Sequence, residues 1–208
     1  FASRRIAKDA NKQLSSVTGK YDEDIYYVRK DASGKWDAAV PFKWNSNNDE
    51  APLYISADGL TLYFKKDVKG QSDVYISNYV DKVWSNPKPV AEINSVGNET
   101  GVSVSADGKY LYFCSDREGG NGKFDIYQCV KSGAKWGAPK NLGIALNTSF
   151  SETSPYVNPN GKTLFFASNG YRDGMGGFDI FYSELQDNGT WTKPANMGFP
   201  INTTRDDK

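Results

Sequence analysis

The sequence predicts an all-β protein built from repeated, four-stranded antiparallel units, and three observations lead to this prediction. Short apolar runs alternate with turn residues along most of the chain, which is typical of short strands. Aromatic residues make up 14% of the sequence, a content that suits strand packing. Several markers also recur with a period of about 50 residues, which indicates a structural repeat.

The stretch 152–191 contains every element of the predicted unit. A short strand leads to a tight turn at Asn160-Gly161, where glycine accepts a positive φ without steric cost. A second strand and a Gly-rich loop follow, and 178–182 reads as a third strand. Trp191 opens a fourth segment. A unit of this size cannot bury its apolar faces alone, so we expect the copies to stack on one another.

The markers of the repeat are spaced by 48 to 55 residues. The turn glycines are Gly59, Gly108 and Gly161. The acids that begin the third strands are Asp24, Asp73, Asp125 and Asp179. The tryptophans are Trp36, Trp84, Trp136 and Trp191. The Asn residues that close each unit are Asn45, Asn94, Asn147 and Asn202. The acids five places after them are Glu50, Glu99, Glu152 and Asp207.

Period and strand number together predict a β-propeller, with a two-sheet sandwich as the alternative. The predicted domain is a single segment, 1–208, with units 1–49, 50–98, 99–151 and 152–206. Phe1-Ala2-Ser3 aligns with Phe166-Ala167-Ser168, so we expect the first unit to lack its first strand. We therefore expect a segment of a larger propeller of about six blades, and a closed four-bladed ring is the alternative.

Two runs carry a family resemblance: SADGKYLYFCSDREGGNGKFDIY and SPYVNPNGKTLFFASNGYRDGMGGFDIFYS. Together with the closing Ile-Asn-Thr, they resemble the WD-repeat-like, TolB-type propeller repeat. More narrowly, they are similar to propellers of OmpA-family envelope proteins, such as the PorE component of type IX secretion. The resemblance implies a periplasmic, outer-membrane-associated scaffold that binds envelope or secretion proteins. It also implies that neighbouring domains anchor to peptidoglycan.

The charge balance argues against several classes of partner. Lys plus Arg and Asp plus Glu both number 25, so no net field attracts nucleic acid or an acidic membrane surface. No apolar run approaches the length of a membrane-spanning helix, so we expect no direct membrane insertion. We therefore expect no nucleic-acid partner.

Catalysis finds little support in the residues. The chain contains no His, which excludes a Ser-His-Asp arrangement within it. We expect no enzyme activity, cofactor or metal site. We expect the repeated Asp residues to cap backbone N–H groups of the preceding loop. The repeated acids from Glu50 to Asp207 have two interpretations, a structural role or a ring around a channel that binds a cation or basic partner. A propeller of a larger hydrolase is the alternative for the whole chain.

The two cysteines, Cys114 and Cys129, fall at opposite ends of a predicted strand pair. That separation is too large for disulfide geometry, so we expect two buried thiols.

Candidate contact residues are those that vary between units. Arg117 and Glu118 lie in one loop, and Tyr171 and Arg172 lie in the matching loop of the next unit. An exposed Tyr beside an Arg is typical of an interface anchor. The polar stretch 8–21, after the basic pair Arg4-Arg5, is either a docking loop or a solvated insertion.

Trp44 replaces the Ile or Leu found at this position in the other units. It predicts either a carbohydrate platform or a larger core side chain at a boundary between units. A carbohydrate-binding propeller is accordingly the alternative to the protein scaffold.

Overall fold

The chain forms four consecutive antiparallel sheets in a computed structural model that describes residues 1–4 and 22–208. The first sheet contains β1 (Ala2–Ser3), β2 (Asp24–Tyr27) and β3 (Val40–Pro41). The second contains β4 (Asp49–Ile55), β5 (Thr61–Val68), β6 (Gln71–Val80), β7 (Val83–Trp84) and β8 (Lys88–Pro89). The third contains β9 (Glu99–Val104), β10 (Tyr110–Ser115), β11 (Asp125–Ser132), β12 (Lys135–Trp136) and β13 (Lys140–Asn141). The fourth contains β14 (Glu152–Val157), β15 (Thr163–Ser168), β16 (Asp179–Glu184) and β17 (Ala195–Asn196).

Successive strands pair in order within each sheet, as in a propeller blade. The third strand of the second sheet, β6, pairs with both β7 and β8, and β11 pairs likewise with β12 and β13. The predicted all-β, β-propeller fold class is confirmed. No helix among the described residues is long and apolar enough to cross a bilayer.

Each repeated tryptophan lies opposite the end of a third strand. The four pairs are Lys30 with Trp36, Tyr79 with Trp84, Lys131 with Trp136, and Leu185 with Trp191. The predicted fourth segment is therefore two short pieces, one at the tryptophan and one further along the chain. A proline, as at Pro87 or Pro139, separates the two pieces because it lacks an N–H for the ladder.

The tight turns follow from their glycines. Gly59, Gly108 and Gly161 have φ values of +71°, +69° and +69°, in the region that side chains disfavour. The register of the first sheet also agrees with the sequence alignment. Ala2 pairs with Ile25 just as Ala167 pairs with Ile180, which places 1–3 at the end of a second strand.

The chain divides into two compact units, Phe1–Pro89 and Val90–Lys208, here called unit 1 and unit 2. The core cluster of unit 1 comprises Ile25, Phe42, Leu62 and Phe64. The core cluster of unit 2 comprises Tyr112, Cys114, Ile126, Leu146, Val157, Leu164, Phe166 and Phe181. The predicted docking stretch 8–21 and Arg5 lie outside the described residues.

Both cysteines are buried free thiols, as predicted. In the pair β10–β11, Cys114 lies opposite Ile126, whereas Cys129 lies opposite Leu111. Burial raises the pKa of the Cys129 thiol to about 11, so it stays protonated at neutral pH.

Candidate interaction surface

A repeated set of hydrogen bonds fixes the connections between sheets. The buried Asn147 accepts a hydrogen bond from the backbone N–H of Ile126 at 2.9 Å and donates one to its carbonyl at 3.1 Å. Glu152 accepts from the backbone N–H of Thr148 at 2.8 Å and from its hydroxyl at 2.7 Å. The connection is therefore tied to one sheet by the Asn and to the next by the acid.

The other repeated acids make the same contacts. Each accepts a hydrogen bond from the backbone N–H of a hydroxyl residue four places earlier: Ser46 for Glu50, Ser95 for Glu99, and Thr203 for Asp207. Burial raises the pKa of Glu152, although bonds from Ser168 and Thr148 oppose the shift. Among residues 1–4 and 22–208, no group of three or more His, Cys, Asp or Glu side chains could hold a metal ion. Each of these carboxylates accepts a hydrogen bond from the backbone of its connection.

Two of the four repeated third-strand acids, Asp125 and Asp179, cap the loops before them, whereas Asp73 lies inside β6 opposite Lys66. Asp125 accepts from the backbone N–H groups of Asn121 and Gly122, at 2.5 and 3.0 Å. Asp179 accepts from those of Met175 and Gly176, at 2.7 and 3.1 Å. The loops between second and third strands are held in place by these bonds.

Arg117 and Tyr171 have equivalent positions, and each anchors its loop to a connection. The Arg117 guanidinium donates to the carbonyl of Ile93 and to Glu99, and it lies over the ring of Phe113 at 5.0 Å. The Tyr171 hydroxyl donates to the carbonyl of Leu146, the residue equivalent to Ile93.

The expectation of an exposed Tyr171 is wrong. The centroid of its ring lies 4.6 Å from that of Phe181, and the ring is partly buried against the core of unit 2. The hydrogen bond from its hydroxyl to the Leu146 carbonyl holds the ring there. Burial also raises the pKa of this phenol. Arg117 is likewise mostly covered, with 17% of its side chain exposed. Their neighbours Glu118 and Arg172 are exposed. Contact of these four residues with a partner stays a prediction.

The structure adds a set of apolar side chains that the sequence analysis did not select. Val96 is 90% exposed, Ile144 88%, Phe199 79% and Phe150 51%. All four lie in connections that enter or leave the sheets of unit 2. One signal was available in the sequence, since the run Leu-Gly-Ile-Ala-Leu before Asn147 holds more apolar residues than one turn can bury.

The backbone explains why Ile144 is displayed. The N–H groups of Leu146 and Asn147 both donate to the carbonyl of Gly143, which closes a single turn. Leu146 fills the core from this turn and is fully buried, while Ile144 lies on its outer side. Phe199 occupies the equivalent place after Gly198, whose carbonyl accepts from Asn202.

Strand direction places these side chains at one end of the unit 2 sheets. In an antiparallel sheet, the loop from second to third strand and the connection from fourth strand to the next sheet leave at the same end. We call this end the connection surface. It is formed by 90–98, 116–124, 142–151, 169–178 and 197–206. Glu118 and Arg172 belong to the same surface.

Trp44 lies in unit 1, partly buried against its core cluster. The indole N–H donates to the carbonyl of Trp84 at 3.1 Å, and the Lys43 ammonium lies 4.9 Å from the ring. It also lines a small cavity of about 150 Å³ with Lys66 and Tyr75. Its packing accounts for a large side chain here, and glycan binding at Trp44 stays a prediction.

No protein-family model matches the sequence, and no curated protein matches it either. Among solved structures, TolB from Acinetobacter baumannii is similar, with a TM-score of 0.56 and 19% identity. That match covers 84% of this chain and 38% of the TolB chain. A putative TolB from Agrobacterium tumefaciens has a TM-score of 0.54 and 16% identity, over 89% of this chain and 61% of its own. The chain thus spans less than two thirds of both. At these identities the likeness establishes a TolB-like propeller fold.

Proposed function

We propose that this chain is a non-catalytic protein-interaction module of the bacterial cell envelope. It acts in the periplasm as the propeller of an outer-membrane-associated, peptidoglycan-anchored protein of the OmpA family, in type IX secretion or a related envelope system. The connection surface is the part that binds. The TolB-like fold and the resemblance of the repeats support the bacterial envelope as its location.

The observation that carries this proposal is the rigid display of apolar side chains on the connection surface. Ile144 and Phe199 are 88% and 79% exposed, yet each lies on a turn closed by backbone hydrogen bonds and followed by a buried Asn. Exposed apolar groups that are already ordered lose little entropy on binding, and such groups supply most of the affinity at protein interfaces. Glu118 and Arg172 supply a charged rim.

The proposal of a non-catalytic role is supported by how the repeated acids are used. Glu50, Glu99, Glu152 and Asp207 each bind a backbone N–H of a connection. A carboxylate held in this way stabilises the chain at each repeat and is not positioned to take a proton from a substrate.

The test is to remove the apolar contacts without disturbing the turns. The double variant Ile144→Glu, Phe199→Glu is compared with wild type in cross-linking and capture from a periplasmic extract of the source bacterium. Interface residues of this kind contribute about 2 kcal/mol each, so the double variant should lose about 4 kcal/mol, which is about a 1,000-fold loss of affinity for the captured partner.

The matched control is Val130→Glu, which changes an apolar side chain of 52% exposure near the end of β11, away from the connection surface. It should retain the partner. Capture that is equal for wild type and the double variant would refute the assignment of the connection surface.

A further inference from the structure

Unit 2 contains a groove of about 370 Å³ between its third and fourth sheets. The groove is lined by, among others, Trp191, Tyr110, Gln128, Lys140, Ala145 and Leu185. The groove extends from the outer strands to Leu142 and Ala145, so it borders the connection surface but is not lined by Val96, Ile144, Phe150 or Phe199. Its volume lies at the lower end of the range for small-molecule sites.

Trp191 supplies an aromatic wall. The indole packs against Tyr112 in a T-shaped contact, with ring centroids 6.1 Å apart and planes at 78°. The backbone of Trp191 bridges to Leu185, which fixes where the ring sits. The indole N–H meets no hydrogen-bond acceptor in the described part of the chain. The ring is therefore held firmly while its donor is left for a ligand.

The polar side chains of the groove are also positioned. Gln128 donates to the hydroxyl of the buried Tyr112 at 2.8 Å, which orients the amide and leaves its oxygen as an acceptor. The hydroxyl of Tyr110 and the ammonium of Lys140 line the same groove. No Asp or Glu lines it, so the charge contributed by Lys140 is not cancelled within the groove.

Unit 1 also has a groove at the equivalent place, of about 290 Å³, but there other side chains pack against the tryptophan. There Tyr79 and Arg29 occupy the positions of Leu185 and Val130. The Tyr79 ring lies 5.2 Å from that of Trp84, and the Arg29 guanidinium lies over Tyr79 at 4.7 Å. In unit 2 neither contact is made with Trp191, because Leu185 and Val130 carry no aromatic ring and no charge. The two grooves thus differ in what packs against the tryptophan.

We propose that the Trp191 groove binds one ring of an oligosaccharide that carries a carboxylate. A flat aromatic wall accepts the C–H face of a pyranose, while the Gln128 amide and the Tyr110 hydroxyl match sugar hydroxyl groups. Lys140 pairs with the carboxylate. An aliphatic ligand would leave these polar groups without partners, and a cation would be repelled by Lys140.

The experiment screens the whole chain on an array of oligosaccharides that contain galacturonate, glucuronate, N-acetylmuramate or sialate, together with neutral oligosaccharides. Calorimetry then measures the strongest ligand. We expect saturable binding of at least one acidic oligosaccharide. Trp191→Ala should weaken it at least tenfold, and Lys140→Ala should weaken it while leaving any neutral ligand unaffected.

A second pair of variants changes the charge of the groove without altering a core residue. Ala145 is an exposed lining residue, so Ala145→Glu should weaken acidic ligands about tenfold and Ala145→Lys should strengthen them. Trp84→Ala, in the groove of unit 1, should leave binding unchanged, because no Lys lines that groove. The proposal is overturned if no acidic oligosaccharide binds, or if the two Ala145 variants bind equally.

Discussion

The grooves of unit 1 and unit 2 occupy the same place in the repeat but differ in what packs against their tryptophans. In unit 1, Arg29 lies over Tyr27 and Tyr79, at 5.3 and 4.7 Å, and Tyr79 packs against Trp84. In unit 2, Trp191 keeps its strand-end position and packs against Tyr112 in a T-shaped contact. The repeat therefore determines the backbone and the tryptophan, while two other positions determine which side chains pack against the tryptophan ring.

The two units also differ in how deeply they bury the Asn that closes a repeat. Asn147 is 2% exposed and binds both polar groups of Ile126, whereas Asn45 makes the same two bonds to Ile25 but is half-buried. A lost bond can be replaced by water only where water can reach. The two Asn residues are thus a matched pair for measuring how much burial adds to the unfolding free energy contributed by these hydrogen bonds.

The largest expected effect is that of Asn147→Ala. It leaves a buried N–H and a buried carbonyl without partners, and we expect it to cost about 3 kcal/mol of unfolding free energy. Asn45→Ala should cost about 1 kcal/mol, since solvent reaches that site. Denaturant titration followed by far-UV circular dichroism measures both.

The exposed turn residue Asn188 provides the control for this pair. Asn188→Ala should change the unfolding free energy by less than about 0.5 kcal/mol. Equal losses for Asn147→Ala and Asn45→Ala would show that burial does not distinguish the two connections.

A smaller effect is expected when the ring of Tyr79 is transferred to unit 2. The variant Leu185→Tyr places an uncharged ring beside Trp191, which should lower the affinity for an acidic oligosaccharide about tenfold, by about 1.4 kcal/mol. Competition on the oligosaccharide array measures it.

The reverse exchange in unit 1 checks the argument independently of any ligand. Arg29→Val with Tyr79→Leu should expose Trp84 and increase its quenching by acrylamide, at a cost of about 1 kcal/mol. If Trp84 is quenched equally before and after the exchange, these two positions do not control access to the groove.

The sequence predicted the features that each repeat determines by itself. The turn glycines, the strand order and the separation of the cysteines are local, so one aligned unit is enough to place them. The bonds that Asp125 and Asp179 make to the preceding loops are local in the same sense. Features that depend on contact between repeats were harder to predict. Tyr171 was expected to be exposed because the sequence does not show that its hydroxyl reaches the Leu146 carbonyl.

The Trp191 groove was missed for a related reason. Leu185 and Val130 are ordinary strand residues in their own unit. Their effect on the groove is visible only when they are compared with Tyr79 and Arg29, the equivalent residues of unit 1. Ile144 was overlooked because an apolar residue before a closing Asn resembles core. The turn that displays it is visible only in the backbone hydrogen bonds at Gly143.

The smallest expected effect concerns the acids that close the connections. Burial raises the pKa of Glu50 and of Glu152 above the ordinary value of 4.5, and the Lys66 ammonium, 3.4 Å from Glu50, partly opposes the shift there. A raised pKa means that the folded chain binds more protons than the unfolded chain between the ordinary and the folded pKa. Stability should therefore fall as pH rises through that window and then level off.

Glu152→Gln should remove the part of the pH dependence of stability that Glu152 contributes. Lys66→Met should increase the part that Glu50 contributes, because the ammonium that opposes the pKa shift is gone. Thermal unfolding at a series of pH values from about 4 to 8 measures both slopes. Glu118→Gln, at an exposed carboxyl, is the control and should leave the slope as in wild type. A Lys66→Met slope equal to that of wild type would mean that the ammonium does not affect Glu50, and that the two connections hold their acids in the same way.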